Sequence, residues 1–179
     1  MQVLVTRRLT LRPPVMADAE DIALWLSDWN VSRMLARVPA PYGIGDAESW
    51  IAGPAQRPND MHFTIHRERL AGCVSMEIAG TEGRLGYWLA EPWQGHGFMT
   101  EAACAVLAYG FEARGLKTVR TSAFIDNHAS RRVQEKLGFV VTGTAREWSA
   151  SRNAMVDTVT RRMTAEAFAA TRRPECTAA

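Results

Sequence analysis

The residues of this chain best suited to chemistry lie in the run Gln94, Gly95, His96, Gly97, Phe98, Met99, Thr100. Gly95 and Gly97 lack a Cβ, so the backbone there can approach an anion closely and adopt positive φ where a turn needs it. A helical pattern follows at once, with Ala103, Val106, Leu107, Gly110 and Phe111 on one stripe and Glu101 in the first turn. A glycine turn feeding a helix start leaves N–H groups free at the positive end of the helix dipole, which is a seat for phosphate. The same glycines would also serve a plain strand-to-helix connection. No lysine followed by Ser or Thr comes after the second glycine, which argues against a Walker-type loop. Gly95, Gly97 and Thr100 meet only the first part of G-x-G-x-x-G. What remains is a loop for a pyrophosphate that is bound but not cleaved.

Other groups could move protons. Glu77 falls on the polar face of a strand and Glu82 in the adjoining turn, with Glu147 and Asp157 as further carboxylates. Asp157, in strand spacing between Met155 and Val159, could face a groove or pair with an arginine across a strand. A carboxylate on a sheet edge is more often solvated than catalytic. Asn127 is a good helix N-cap with Ser130 at the third helical position. His62 and His66 lie four apart along a strand, about 13 Å, too far to share an ion. Cys104 sits inside the long helix and reads as a small core residue rather than a nucleophile.

The elements that must position these groups are legible in order. Leu9 and Leu11 mark a first strand before Pro13 and Pro14; Asp18 offers an N-cap to a helix striped by Ile22, Trp25, Leu26 and Trp29, with a second short helix after Asn30. The Pro- and Gly-rich stretch 38–45 is a lid-like loop, and Asp46 caps a helix through Trp50 and Ile51. Alternation at Met61, Phe63 and Ile65, a turn at 67–69, and Val74, Met76 and Ile78 predict a hairpin that the buried strand 85–90 should join. A strand at 119–125 should run parallel to that strand, since a helix intervenes. A helix at 129–137 ended by Gly138, an antiparallel pair at 139–142 and 156–163, and a short helix at 164–170 complete the chain, with 171–179 read as a frayed tail.

A second stretch adds to the first. Asp126 to Phe139, DNHASRRVQEKLGF, resembles N-x-x-S-x-x-x-x-E-K-L-G-F at Asn127, Ser130, Glu135, Lys136, Leu137, Gly138 and Phe139. The Gln94–Ala102 run resembles the pyrophosphate loop Q/R-x-x-G-x-G/A, with Met99 where Gly or Ala is preferred. Both patterns are those of the GCN5-related N-acetyltransferases (GNAT), most like the RimJ/RimL-like branch that acetylates ribosomal protein N-termini. The resemblance covers nearly the whole chain, the first third in pattern only.

The resemblance implies an α/β (α+β) fold: a mixed, mostly antiparallel central sheet, helices on both faces, and splayed parallel central strands. It implies direct acetyl transfer from acetyl-CoA, with no metal, to a primary amine such as a ribosomal-protein or peptide N-terminus. Trp88, Leu89, Gln94, Gly95, His96, Gly97, Phe98, Met99, Thr100, Asn127, Ser130 and Arg132 would bind the co-substrate, and Ser130, Asn127 and Glu77 would carry the reaction. A backbone N–H near Leu89 would hold the oxyanion. Many family members protonate the thiolate with a tyrosine in the second motif, which here has none; Tyr87 precedes the loop and Tyr109 lies on the long helix. A lysine-like amine near pKa 10 must shed about three units at pH 7, roughly 4 kcal/mol, whereas a peptide α-amine near 8 must shed about one, roughly 1.4 kcal/mol. A weak base therefore suffices for an N-terminus. The alternatives are a small amine, such as an aminoglycoside, polyamine or amino acid, and a non-catalytic module that senses acyl-CoA.

The 179 residues are 47% hydrophobic and 22% charged, which suits one globular domain over 1–170. The formal net charge is +2 and the basic residues are scattered, which suits a polyanionic ligand but not nucleic acid. Three widely spaced cysteines make no disulfide framework, and the absence of a leader or membrane-length apolar run points to the cytoplasm. A homodimer is compatible with this reading.

Overall fold

The computed structural model describes residues 2–171. Eight strands form one sheet in the order β1-β2-β3-β4-β5-β6-β8-β7. They are β1 (Leu4–Val5), β2 (Thr10–Arg12), β3 (Met61–His66), β4 (Leu70–Ala79), β5 (Glu82–Leu89), β6 (Thr118–Phe124), β7 (Val140–Ser149) and β8 (Ala154–Thr164). All neighbours are antiparallel except β5 and β6.

Among the described residues the α-helices are α1 (Ala19–Leu26), α2 (Trp29–Ser32), α3 (Ile44–Ala52), α4 (Phe98–Ala108), α5 (His128–Leu137) and α6 (Ala165–Ala170). The two-residue period of the strands sends alternate side chains to opposite faces. Met61, Phe63, Val74, Met76 and Leu85 meet Phe98, Ala102, Val106 and Leu107 of α4 on one face. Cys73 and Leu70 meet Ile22, Leu26, Ala47 and Ile51 of α1 and α3 on the other. Helices on both sides are why β3 and most of β4 are buried throughout rather than alternately.

Some expectations shift. α1 ends at Leu26, and Trp29 instead opens α2 and is 51% exposed. Asp18 does not cap α1 with its side chain; it takes two hydrogen bonds from the Arg12 guanidinium, at 2.8 and 2.7 Å, and one from the Val15 N–H. β7 runs to Ser149, well past Thr142, because as an edge strand it is largely exposed and lacks an apolar alternation. Cys73 is a free, buried thiol. The tail beyond 171 lies outside the described residues.

Candidate active site

The loop after β5 takes its shape from two left-handed glycines, Gly95 at φ 82° and Gly97 at φ 78°. A Cβ on Gly95 would meet nothing, so the requirement there is conformational rather than steric. Gln94 Nε2 donates to the Leu89 carbonyl at 2.8 Å and ties the loop to the strand end. The first helical bond of α4 runs from the Glu101 N–H to the Gly97 carbonyl, so the N–H groups of Phe98, Met99 and Thr100 precede the ladder.

The loop is pinned from β1–β2. Glu101, 8% exposed, accepts from Thr6 Oγ1 at 2.7 Å and from the Arg8 backbone and Nε at 2.8 and 2.7 Å. Burial works against its charge, but these donors outweigh it and hold the carboxyl below its ordinary range. Arg8 also donates to the His96 carbonyl and lies 4.6 Å over the Phe98 ring, with Arg67 at 5.2 Å from the same ring. Two cations thus flank the helix start. Neither was singled out in the sequence, because Arg8 and Arg67 reach the loop only through the sheet.

β5 and β6 pair over three residues, Glu82↔Thr118, Gly83↔Val119 and Arg84↔Arg120, and then part. β5 stays on β4 as far as Gly72↔Leu89, while β6 stays on β8 as far as Phe124↔Thr158. Ala90 donates to Ala71, which fixes the alternation of the β4–β5 ladder. By it, Leu85, Tyr87 and Leu89 turn their backbone groups toward β6. Thr121 Oγ1 takes the Leu85 carbonyl and Gln94 the Leu89 carbonyl, so the N–H groups of Tyr87 and Leu89 face the gap.

Asn127 and Ser130 stand at the mouth of the gap. Asn127 Oδ1 accepts the Ser130 N–H at 3.0 Å, the N-cap of α5. Tyr87 crosses the gap to them, with its Oη 3.0 Å from Ser130 Oγ and 3.2 Å from the Ser130 carbonyl. Burial pushes the phenol up to about 12, although Ser130, Gln134 and the charge of Arg161 pull the other way. A tyrosine therefore does reach this serine, from the strand before the loop rather than from the second motif. The contact needs β5 and β6 to splay, and no spacing in the sequence shows that. Arg132 is exposed on α5, and Trp88 is half-buried against the α1–α3 side.

Beyond the gap opens a cleft of about 610 Å³, walled by Met34, Arg37, Tyr42, Trp50, Trp88 and Phe124 and reached by Tyr87, Asn127 and Ser130. Glu77 lines it, bound to Arg37 at 2.6 Å, and Glu147 lines it, bound to Ser122 Oγ at 3.0 Å and Arg84 at 3.4 Å. His62 lies 5% exposed in the wall, edge-on to Trp50, with neither ring nitrogen hydrogen-bonded among the described residues. Burial depresses its pKa despite Asp60 and Glu77, so it is neutral at pH 7. Two other carboxylates stand away: Glu82 pairs with Arg120 beside a second depression, and exposed Asp157 pairs with Arg146. No group of three or more His, Cys, Asp or Glu that could hold a metal occurs among the described residues.

A sheet that parts at its parallel pair, with a glycine turn and an open helix start on one side of the gap and a cleft on the other, is the arrangement of an enzyme class, the N-acetyltransferases. The model of the acetyltransferase (GNAT) domain matches residues 8–140, and the chain belongs to that family. It is 30% identical over 172 residues to the uncharacterized N-acetyltransferase YoaA of Bacillus subtilis, covering 87% of this chain and 93% of that one. Among solved structures it is similar in fold to RimL, a ribosomal L7/L12 alpha-N-protein acetyltransferase in complex with coenzyme A (TM-score 0.80, 18% identity, 91% of this chain and 98% of that one). It is also similar to the microcin C7 self-immunity acetyltransferase MccE in complex with acetyl-CoA and AMP (TM-score 0.76, 23% identity, 88% and 93%).

Proposed function

We propose that the protein transfers acetyl from acetyl-CoA to the α-amine of a peptide or protein N-terminus. The parting of β5 and β6 beyond Arg84 and Arg120 carries this reading. It gives an extended pantetheine arm backbone partners at Tyr87 and Leu89, in line with the free N–H groups of α4. The residues fit the donor: Gly95 and Gly97 leave room at the turn, and Arg8 and Arg67 add positive charge beside it. Gln94 to Thr100 hold the pyrophosphate; Asn127, Ser130 and Trp88 stand near the thioester end, and Arg132 is an outer contact. Bound acetyl-CoA supplies a thioester as the acyl donor.

The Leu89 N–H, aimed into the gap, is placed to stabilise the oxyanion that forms as the amine adds. The Ser130 hydroxyl donates to the departing sulfur. Glu77 takes the proton from the incoming ammonium, directly or through a water.

The charge of the cleft bears on the acceptor. Its wall carries Arg37, Arg57 and Arg84 against Asp46, Glu77 and Glu147, and two of those carboxylates are already paired with arginine. A polyamine or aminoglycoside would need surplus carboxylates. A peptide start, with one cationic amine and a neutral backbone, fits a balanced wall. The second depression shares Arg57, Glu77 and Arg84 with the cleft and gives later residues of a peptide somewhere to run.

The test is release of CoA thiol from acetyl-CoA against a panel of peptide N-termini and small amines, with acetyl-CoA binding followed by calorimetry. Turnover on peptides supports the reading, and turnover confined to small amines moves the acceptor. Binding without any turnover makes the protein an acyl-CoA sensor.

A further inference from the structure

Behind Ser130 lies a buried chain of side chains that the reaction outlined above does not use. Arg161 of β8, 3% exposed, donates Nη1 to the Arg131 carbonyl at 2.9 Å and to Gln134 Oε1 at 3.3 Å, and Nη2 to Glu135 Oε1 at 2.7 Å. A guanidinium can only donate, so it fixes the Gln134 amide with its oxygen toward Arg161 and its NH₂ toward Ser130. Gln134, fully buried, then donates from Nε2 toward Ser130 Oγ, Thr121 Oγ1 and the Ser122 carbonyl, each at 3.3 Å.

Ser130 Oγ has one proton and two lone pairs. Gln134 has two N–H protons for three acceptors, and one of them given to Ser130 Oγ fills one lone pair. The Tyr87 proton has two acceptors in reach, the Ser130 carbonyl at 3.2 Å and Ser130 Oγ at 3.0 Å. With that proton on the carbonyl, the serine hydroxyl donates back to Tyr87 Oη and is held away from the gap. With it turned to Oγ, the second lone pair of Ser130 is filled and the serine proton is free to point into the gap.

Resting on the reading of the site given above, we propose that Arg161, Gln134 and Tyr87 form a buried relay that turns the Ser130 hydroxyl toward the departing thiolate. Tyr87, Gln134 and Arg161 are positioning residues; Ser130 is the group that meets sulfur. The relay rotates hydroxyls and breaks no O–H bond. The C–S bond breaks with its electron pair left on sulfur, the Ser130 O–H meets that charge, and the thiol finally gains, through solvent, the proton that the amine nitrogen loses as the amide forms. Full transfer from the phenol would run uphill, since Tyr87 sits at about 12 and an alkyl thiol near 8.5. A hydrogen bond from Ser130, strengthened by the buried cation two residues behind it, has no such penalty.

The test compares Tyr87→Phe, Gln134→Met, Ser130→Ala and the Tyr87→Phe/Ser130→Ala double variant, all in the full chain with acetyl-CoA and a turning-over acceptor. The relay predicts a loss in kcat of about 10-fold for Tyr87→Phe and for Gln134→Met, with KM and CoA affinity held at a temperature where both variants are folded, and a solvent deuterium isotope effect on kcat that moves toward one. The double variant should lose no more than Ser130→Ala alone, because Tyr87 acts through the serine. Wild-type kcat in Tyr87→Phe and Gln134→Met beside a slow Ser130→Ala overturns the relay and leaves the site standing. Multiplicative losses in the double variant also overturn it. Wild-type kcat in Ser130→Ala instead overturns the role given to Ser130, and the relay with it.

Discussion

The Arg37 guanidinium lies 2.6 Å from Oε1 of Glu77, so the loop after α2 is fastened to β4 across the cleft. Arg37 is 68% exposed at its side chain, and such a pair is worth at most about 1 kcal/mol to stability. Its value is positional: it holds the one lining carboxylate of β4 in place. Glu77→Gln should therefore melt within a few degrees of wild type yet lose kcat by about 100-fold, the low end for a general base. Steady-state kinetics beside a thermal melt separates the two effects, and a Gln variant with full turnover would remove Glu77 from the reaction.

Gly97 predicts a binding defect that leaves the fold intact. Its φ of 78° is left-handed, while a Cβ there would meet only Arg8 Nη2 at 3.5 Å, an ordinary contact. Alanine costs about 1–2 kcal/mol at such a φ, unless the turn relaxes to a conformation that no longer aims the α4 N–H groups at the ligand. Gly97→Ala should weaken acetyl-CoA by about 10-fold in calorimetry. Unchanged affinity would place the pyrophosphate elsewhere.

The loop from Gln94 to Thr100 and the cap of α5 were legible because both are local: a glycine turn and an Asn three residues before Ser130 write their geometry in consecutive residues. The buried strands β3 and β4 were legible from alternation, though burial on both faces blurs it. Three things were not. Tyr87 meets Ser130 only because β5 and β6 part, and a splay is a property of two strands whose paired residues, such as Glu82 and Thr118, are distant in the chain. Arg8 reaches the loop by way of Glu101. Gln134 and Arg161 read as ordinary polar residues on α5 and β8, and only complete burial sets them apart.

The Glu101 carboxylate gives the fold an acid-sensitive joint. Its folded pKa lies below the unfolded value, so its contribution is present above the ordinary carboxylate pKa near 4.3 and is lost as pH falls through the depressed folded value. Hydrogen bonds to a charged group are worth about 1.5–3 kcal/mol each, but Arg8 is 35% exposed and screened. Glu101→Gln should therefore cost about 2 kcal/mol at pH 7. That difference should begin to shrink below the ordinary carboxylate pKa and close as pH falls through the depressed folded value. Urea melts of both proteins from pH 3 to 8 check this, and a gap that stays constant with pH would show the charge to be idle.

The width of the gap depends on how closely β5 lies on β4 at its open end. A Cβ on Gly72 would fall against the Trp88 carbonyl oxygen and within 3.0 Å of Leu89 Cα, both backbone atoms that cannot swing aside. Gly72→Ala must therefore push β5 off β4 at Trp88 and Leu89, the strand end to which the oxyanion N–H is assigned in the proposed reaction. The expected cost is about 1–3 kcal/mol in urea melts, with kcat falling further than that loss of stability explains. Gly45→Ala is the matched control. It lies in α3, where a Cβ meets nothing within 4 Å, and should stabilise by up to about 1 kcal/mol while leaving turnover unchanged. If Gly72→Ala kept wild-type kcat, the position of the Leu89 N–H would not be set by the β4–β5 approach, and the oxyanion would have to be held from the β6 side of the gap.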